Sequence, residues 1–275
     1  MNKLLLESFF LKTPDATGGL KKYPFSIPVI KNFKKISFKK PVTFITGENG
    51  SGKSTLIEAF ANYLDFNVEG GSRDISFSTK DTSSNFYKYL SAEVSGDFRH
   101  FDGYFLRSET MYNLTTEIET RGKRKLLKPE IWGNYKPPIQ TSAYGYNYED
   151  IPSDYGNISL HKQSHGEGVL SLLTNRLSKK GLYLFDEPET GLSVNSLFKM
   201  LIIINELVKN QSQFIICTHS PILLAFPDAD IFEIKNQILK SVKYEETDHY
   251  NLSKYFLMNY KEMIKKIGIN ACRSG

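Results

Sequence analysis

Cysteine is nearly absent from this 275-residue chain: only Cys217 and Cys272 occur, and they form no C-x-x-C pair. That argues against a disulfide framework and a cysteine-based zinc site, and it fits the reducing cytoplasm. No apolar run reaches the about 18 residues of a membrane helix. The opening "MNKLLLESFFLKTPD" breaks too soon for a signal or a span, so it reads as a first β-strand with no direct membrane insertion. Charge of one sign is never in large excess: 35 Lys+Arg against 30 Asp+Glu leave +5, which permits contact with nucleic acid without requiring it. There is no internal repeat and no Asn-Lys-x-Asp, the tetrapeptide expected of a guanine site. What remains, 40% hydrophobic and 24% charged residues, is ordinary globular composition with ample length for a core.

The patterned segments alternate between the two periods of regular structure. "PVTFITGENGSGKSTLIEAFANYL" (41–64) predicts a strand over 42–46, a glycine-rich turn, and a helix with Leu56, Ile57, Phe60 and Leu64 on one face. "GLYLFDE" (181–187) is an unbroken apolar run ending in two acids, the pattern of a strand buried on both faces. A helix over 194–208 and the strand "QFIICTH" from Gln213 follow, then strands near 231–234 and 238–244 and helix around 250–267. Such alternation predicts the α/β class, with a mostly parallel central sheet and right-handed crossovers. The stretch 116–162 lacks any sustained period. It carries Arg121, Lys123, Arg124, Lys125 and Lys128, then a tyrosine-rich Gly/Pro tract, and reads as an insertion into a single domain spanning 1–275.

"GENGSGKS" (Gly47 to Ser54) matches G-x-x-x-x-G-K-[ST] between a predicted strand and helix. Gly47, Gly50 and Gly52 let backbone N–H groups turn around phosphate oxygens, and the helix N-terminus adds partial positive charge. Lys53 reaches the β- and γ-phosphates and the Ser54 hydroxyl ligates Mg²⁺. Glu48, Asn49, Ser51 and Thr55 complete the candidate nucleotide site. At the second strand end, Asp186 is placed to hold Mg²⁺ directly or through water, and Glu187 to orient or deprotonate an attacking water. In a parallel sheet all carboxyl ends face one crevice, which puts His219 on the same edge, where it can donate to a γ-phosphate. The stretch "HKQSHGEGVL" (161–170) admits three readings: a Ser164/His165 nucleophile and base, a phosphate-contacting loop, or a plain helix cap.

These residues resemble the ATP-binding-cassette (ABC) ATPases and their structural-maintenance-of-chromosomes (SMC) relatives. The resemblance runs through "GENGSGKST" as Walker A, "LYLFDEPETGLS" as Walker B and D-loop, and "CTHSP" as the switch histidine. More narrowly, "FLRSETMYN", "LHKQSHGEG" and "YNLSKYFLMN" resemble stand-alone bacterial AAA-type ATPases of this class. The resemblance implies a homodimer that sandwiches two ATP molecules head to tail, each phosphate loop facing the signature loop of the other subunit. That signature reads L-S-G-G-Q. In "QSHGEG", Ser164 and Gly166 match its serine and second glycine, while Gln163, His165 and Glu167 replace its other residues. The family's glutamine loop falls on "DGYFLRSETMYN", which has no glutamine; Glu109 or Ser108 is left to reach Mg²⁺ or water, and Arg107 to reach phosphate. Adenine is expected to stack on an upstream ring, with Tyr23, Phe25, Phe33 and Phe38 eligible. The function implied is Mg-dependent ATP hydrolysis that drives or gates a partner protein the sequence does not name; any transport would need a separate permease. The competing reading is a nucleotide-gated nucleic-acid-binding module, its basic run and tyrosines contacting phosphates and bases.

Overall fold

The protein, examined as a computed structural model, is described over residues 4–13, 22–68, 70–72, 84–95, 101–110, 165–177 and 180–269. Two sheets organise these residues. Strands β1 (Leu6–Leu11), β2 (Lys35–Ser37) and β4 (Leu90–Val94) form an antiparallel sheet in the order β2-β1-β4. The central sheet contains β3 (Val42–Gly47), β5 (Asp102–Arg107), β6 (Gly181–Asp186), β7 (Gln213–Cys217), β8 (Asp230–Lys235) and β9 (Ile238–Ser241). Its order is β5-β6-β7-β3-β8-β9, parallel throughout except for β9, which returns antiparallel to β8.

Both faces of the central sheet are covered, which explains the unbroken apolar strands. Successive side chains alternate between two cores. Ile45, Leu182, Leu184 and Ile215 face the antiparallel sheet together with α1 (Pro28–Lys31) and α2 (Lys53–Tyr63). Phe44, Tyr183, Phe185, Phe214 and Ile216 face α3 (His165–Asn175), α4 (Val194–Lys209) and α5 (Pro221–Leu224). The Gln213 side chain joins the two sheets: its amide accepts from Leu6 N–H at 2.9 Å and donates to Leu6 C=O at 2.8 Å.

The helical face read from the sequence is the buried one, with Leu56, Ile57, Phe60 and Leu64 all in the core. Phe60 lies flat on Phe9, ring centroids 4.1 Å apart and 7° from parallel, so helix and antiparallel sheet share one packing unit. Phe60→Ala should therefore lower the free energy of unfolding by about 3–5 kcal/mol, read from a denaturant midpoint at unchanged slope.

Two boundaries differ from expectation. β7 ends at Cys217, two residues before His219; the Thr218 N–H still donates to Ile45 C=O, and the Glu189 side chain accepts from the N–H groups of His219 and Ser220 beyond it. β9 stops at Ser241, and Tyr244 lies in a 3₁₀ turn. The last helix, α6 (Asp248–Lys266), buries none of its residues. The proposed insertion over 116–162, including the basic run and its tyrosines, lies outside the described residues.

Candidate functional site

The carboxyl ends of β3, β6 and β7 open onto one edge because the strands run parallel and in register, Asp186 beside Cys217 and Cys217 beside Ile45. β3 ends at Gly47 and the chain turns through Glu48, Asn49 and Gly50, all exposed, into α2. The turn depends on Gly52, the α2 N-cap. Its φ is +101°, and a Cβ there would meet Ile27 Cγ2 and Val29 Cγ1 at 2.7 Å. A side chain would be strained in conformation and blocked in space.

Lys53 is 4% exposed and lies across the loop it follows. Its ammonium donates to the carbonyls of Gly47 at 3.0 Å and Glu48 at 2.9 Å. An ammonium has three protons, so one is left for a phosphate oxygen. Burial lowers its pKa, while Cys217, Glu187 and Asp186 oppose that shift. The hydroxyl of Ser51 is buried in the loop with no hydrogen-bond partner among the described residues, an orphan that an anion's oxygen would satisfy. Thr55, in the first turn of α2, is half-buried.

Ser54 Oγ donates to Asp186 Oδ1 at 3.2 Å, joining residues 132 positions apart. Adjacent ligands of an octahedral Mg²⁺ with bonds of 2.0–2.1 Å lie about 3 Å apart, so this oxygen pair fits two cis positions. Asp186 is 5% exposed, and burial pushes its pKa up to about 7 against the pull of Arg107. A divalent cation in contact would restore the carboxylate. Among the described residues no group of three or more His, Cys, Asp or Glu side chains could hold a metal. A sparse protein donor set is what Mg²⁺ uses when waters and substrate phosphates fill its other positions.

Glu187 adopts left-handed backbone, φ +50°, uncommon for a residue with a side chain and worth about 1–3 kcal/mol of strain. The fold holds it there. Its N–H donates to Cys217 C=O at 3.0 Å, and its carbonyl accepts from Thr190 N–H at 3.1 Å and Ser108 Oγ at 2.6 Å. Turned this way, Oε1 lies 3.1 Å from Nε2 of His219. Burial first, then the charge of Lys53, lowers the His219 pKa. Both effects favour the neutral ring.

Several expectations change. Ser108 donates its hydroxyl to the Glu187 carbonyl at 2.6 Å and so holds that backbone. Arg107 pairs with Glu58 at 3.4 Å and Glu109 at 3.4 Å and donates to Val68 C=O, and its charge opposes the upward shift of the Asp186 pKa. Phe25, Phe33 and Phe38 pack in the core with at most 7% exposure, which leaves Tyr23, 60% exposed, as the available ring. Ser164 and Gln163 lie outside the described residues. Gly166 sits in the first turn of α3, where a Cβ would be 3.0 Å from Leu192 Cδ2 and 3.4 Å from Gly191 C=O. The start of that helix therefore rests on the loop that follows Glu187.

The sequence reading missed two residues. Glu189 Oε1 accepts from Thr218 Oγ1 at 2.7 Å, His219 N–H at 2.6 Å and Ser220 N–H at 3.2 Å, tying the two loops together. His249 lies 3.2 Å from His219 Nδ1. Glu189 could have been found from its place in "DEPET"; no local signal marks His249.

A match to the family described as AAA domain covers residues 21–267. The chain is similar, at 27% identity over 266 residues, to a Pyrococcus furiosus protein named as an ABC transporter ATP-binding protein; the match spans 88% of this chain and 94% of the relative. It also resembles part of an ABC transporter complex from Clostridium perfringens, at 16% identity over 85% of this chain and 91% of that one, with TM-score 0.46. For the SMC head domain from Thermotoga maritima the values are 16%, 87%, 99% and 0.41. Among the described residues no helix is long and apolar enough to cross a membrane.

Proposed function

The chain belongs to the AAA domain family, as an ABC-like ATPase, and from that premise we propose that it hydrolyses ATP in the loop of residues 47–55, between two head-to-tail copies. The observation that carries the hydrolytic part of this reading is the 3.2 Å contact of Ser54 with Asp186, which joins the phosphate loop to the acid pair within one chain. Loop N–H groups and the α2 N-terminus bind the phosphates, and Lys53 adds its remaining proton to the β- and γ-oxygens. Ser54 and Asp186 would hold Mg²⁺, which when bound would neutralise charge on the triphosphate.

Glu187 accepts a proton from a water whose oxygen forms the bond to γ-phosphorus as the bond to the β–γ bridging oxygen breaks, giving ADP and phosphate. His219, already aimed at this carboxylate, donates its Nε2–H to a γ-phosphate oxygen. Tyr23 is the ring offered to adenine. Ser164 and Gly166 contact the γ-phosphate of the other subunit's ATP, and Gly191–Leu192, which lie against Gly166 in the first turn of α3, carry that contact back to Glu187. Opening after hydrolysis drives or gates a partner protein.

Ser164→Arg separates the sandwich from a single-chain ATPase. ATP binding by the monomer should stay within about twofold while hydrolysis falls by about 100-fold or more, read by titration calorimetry and phosphate release. Unchanged turnover would reduce the loop to a helix cap.

A further inference from the structure

The imidazole of His219 has two ring nitrogens, and the chemistry above uses one. Its Nδ1 lies 3.2 Å from Nε2 of His249, the rings meeting edge to face with centroids 5.0 Å apart at 83°. His249 is the second residue of α6, and that end of the helix is fixed. Thr247 is fully buried and accepts from Tyr250 N–H at 3.3 Å as the N-cap. The Asp248 N–H donates to Oε1 of buried Glu233 at 2.9 Å, and Lys235 pairs with the Asp248 carboxylate at 2.6 Å. Glu233 and Lys235 belong to β8, the neighbour of the strand that ends in the phosphate loop. His249 is thus held in the same frame as Gly47, although α6 buries none of its own residues in the core.

We infer that His249 is a positioning residue: its Nε2–H donates to Nδ1 of His219 and fixes the tautomer that carries the proton on Nε2, facing Glu187 and the γ-phosphate. This rests on the role proposed above for His219. A neutral imidazole has one N–H and one acceptor nitrogen, and the hydrogen bond at one nitrogen decides the state of the other. Facing the Glu187 carboxylate, Nε2 is useful only as a donor, so Nδ1 must accept. Among the described residues His249 supplies that donor. In the neutral ring that burial favours, the choice of tautomer decides whether a proton points at the reacting phosphate.

The test is steady-state ATP hydrolysis by the full chain. His249→Phe keeps a ring in edge contact and removes the donor; His249→Gln places an amide N–H near the position of Nε2. The Phe variant should lower kcat about 10- to 100-fold with KM for Mg-ATP within about twofold, and the Gln variant should recover kcat to within about threefold of the parent. In a His219→Ala background, His249→Phe should cost nothing more, because the two act as a unit. If the Phe variant does not fold, His249→Asn, whose shorter amide falls short of Nδ1, replaces it with the same expectation. Parental kcat for His249→Phe beside an impaired His219→Ala overturns the positioning role alone. So does a Gln variant as slow as Phe, or an additive loss in the double variant. Parental turnover in His219→Ala overturns the parent reading and this one together.

Discussion

Replacing Lys53 by alanine is expected to weaken Mg-ATP binding by about 2–5 kcal/mol, about 30- to 5,000-fold. The size follows from where the ammonium sits. It is almost wholly buried and closes the loop on the Gly47 and Glu48 carbonyls, which leaves its third proton for a phosphate oxygen. Charge-assisted bonds in such a site are not diluted by water, and the carbonyls left behind repel the phosphates that would replace them. Calorimetric titration with Mg-ATP reads the loss directly, and circular dichroism confirms that α2 is retained. Affinity within about twofold of the parent would remove the loop from the nucleotide site, since no charged donor of this kind contributes so little.

Glu187→Gln is expected to lower kcat by about 10²- to 10⁴-fold, the usual loss of a general base, with Mg-ATP affinity kept. The substitution is nearly isosteric. The left-handed backbone at residue 187 is pinned through main-chain groups by Cys217, Thr190 and Ser108, so it does not depend on the side-chain charge. The glutamine oxygen still accepts from His219. Only the basicity is lost, which makes the variant a trap for the ATP-bound state. Single-turnover phosphate release separates this from slow product release; hydrolysis within about threefold of the parent would assign proton removal to another group.

Much of the fold was legible because its central sheet is buried on both faces. The runs 42–47, 181–186 and 213–217 are buried at every position and mostly apolar, and turn residues and helical periods bound them. The antiparallel sheet was not legible beyond its first strand. β2 has three residues and β4 an irregular burial pattern, so neither shows a strict alternation, and their pairing spans residues 6 to 94. At the site, Lys53, Ser54, Asp186 and Glu187 announce themselves through local spacing, because a strand end and a helix start need those residue types at those offsets. Ser108 and His249 act through contacts 79 and 30 residues away in sequence, and such pairings have no local period. The choice among the adenine candidates was not legible for a different reason: aromatic residues upstream of the loop serve first as core, and three of the four, Phe25, Phe33 and Phe38, are buried there.

The claim that ATP is bound between two copies is tested most directly by sedimentation of the Glu187→Gln protein at saturating Mg-ATP. An ATP sandwich requires a particle of twice the chain's mass that returns to the monomer when Mg²⁺ is chelated, and that is the expected result. A Glu187→Gln protein that binds Mg-ATP to saturation and still sediments as a monomer would contradict it.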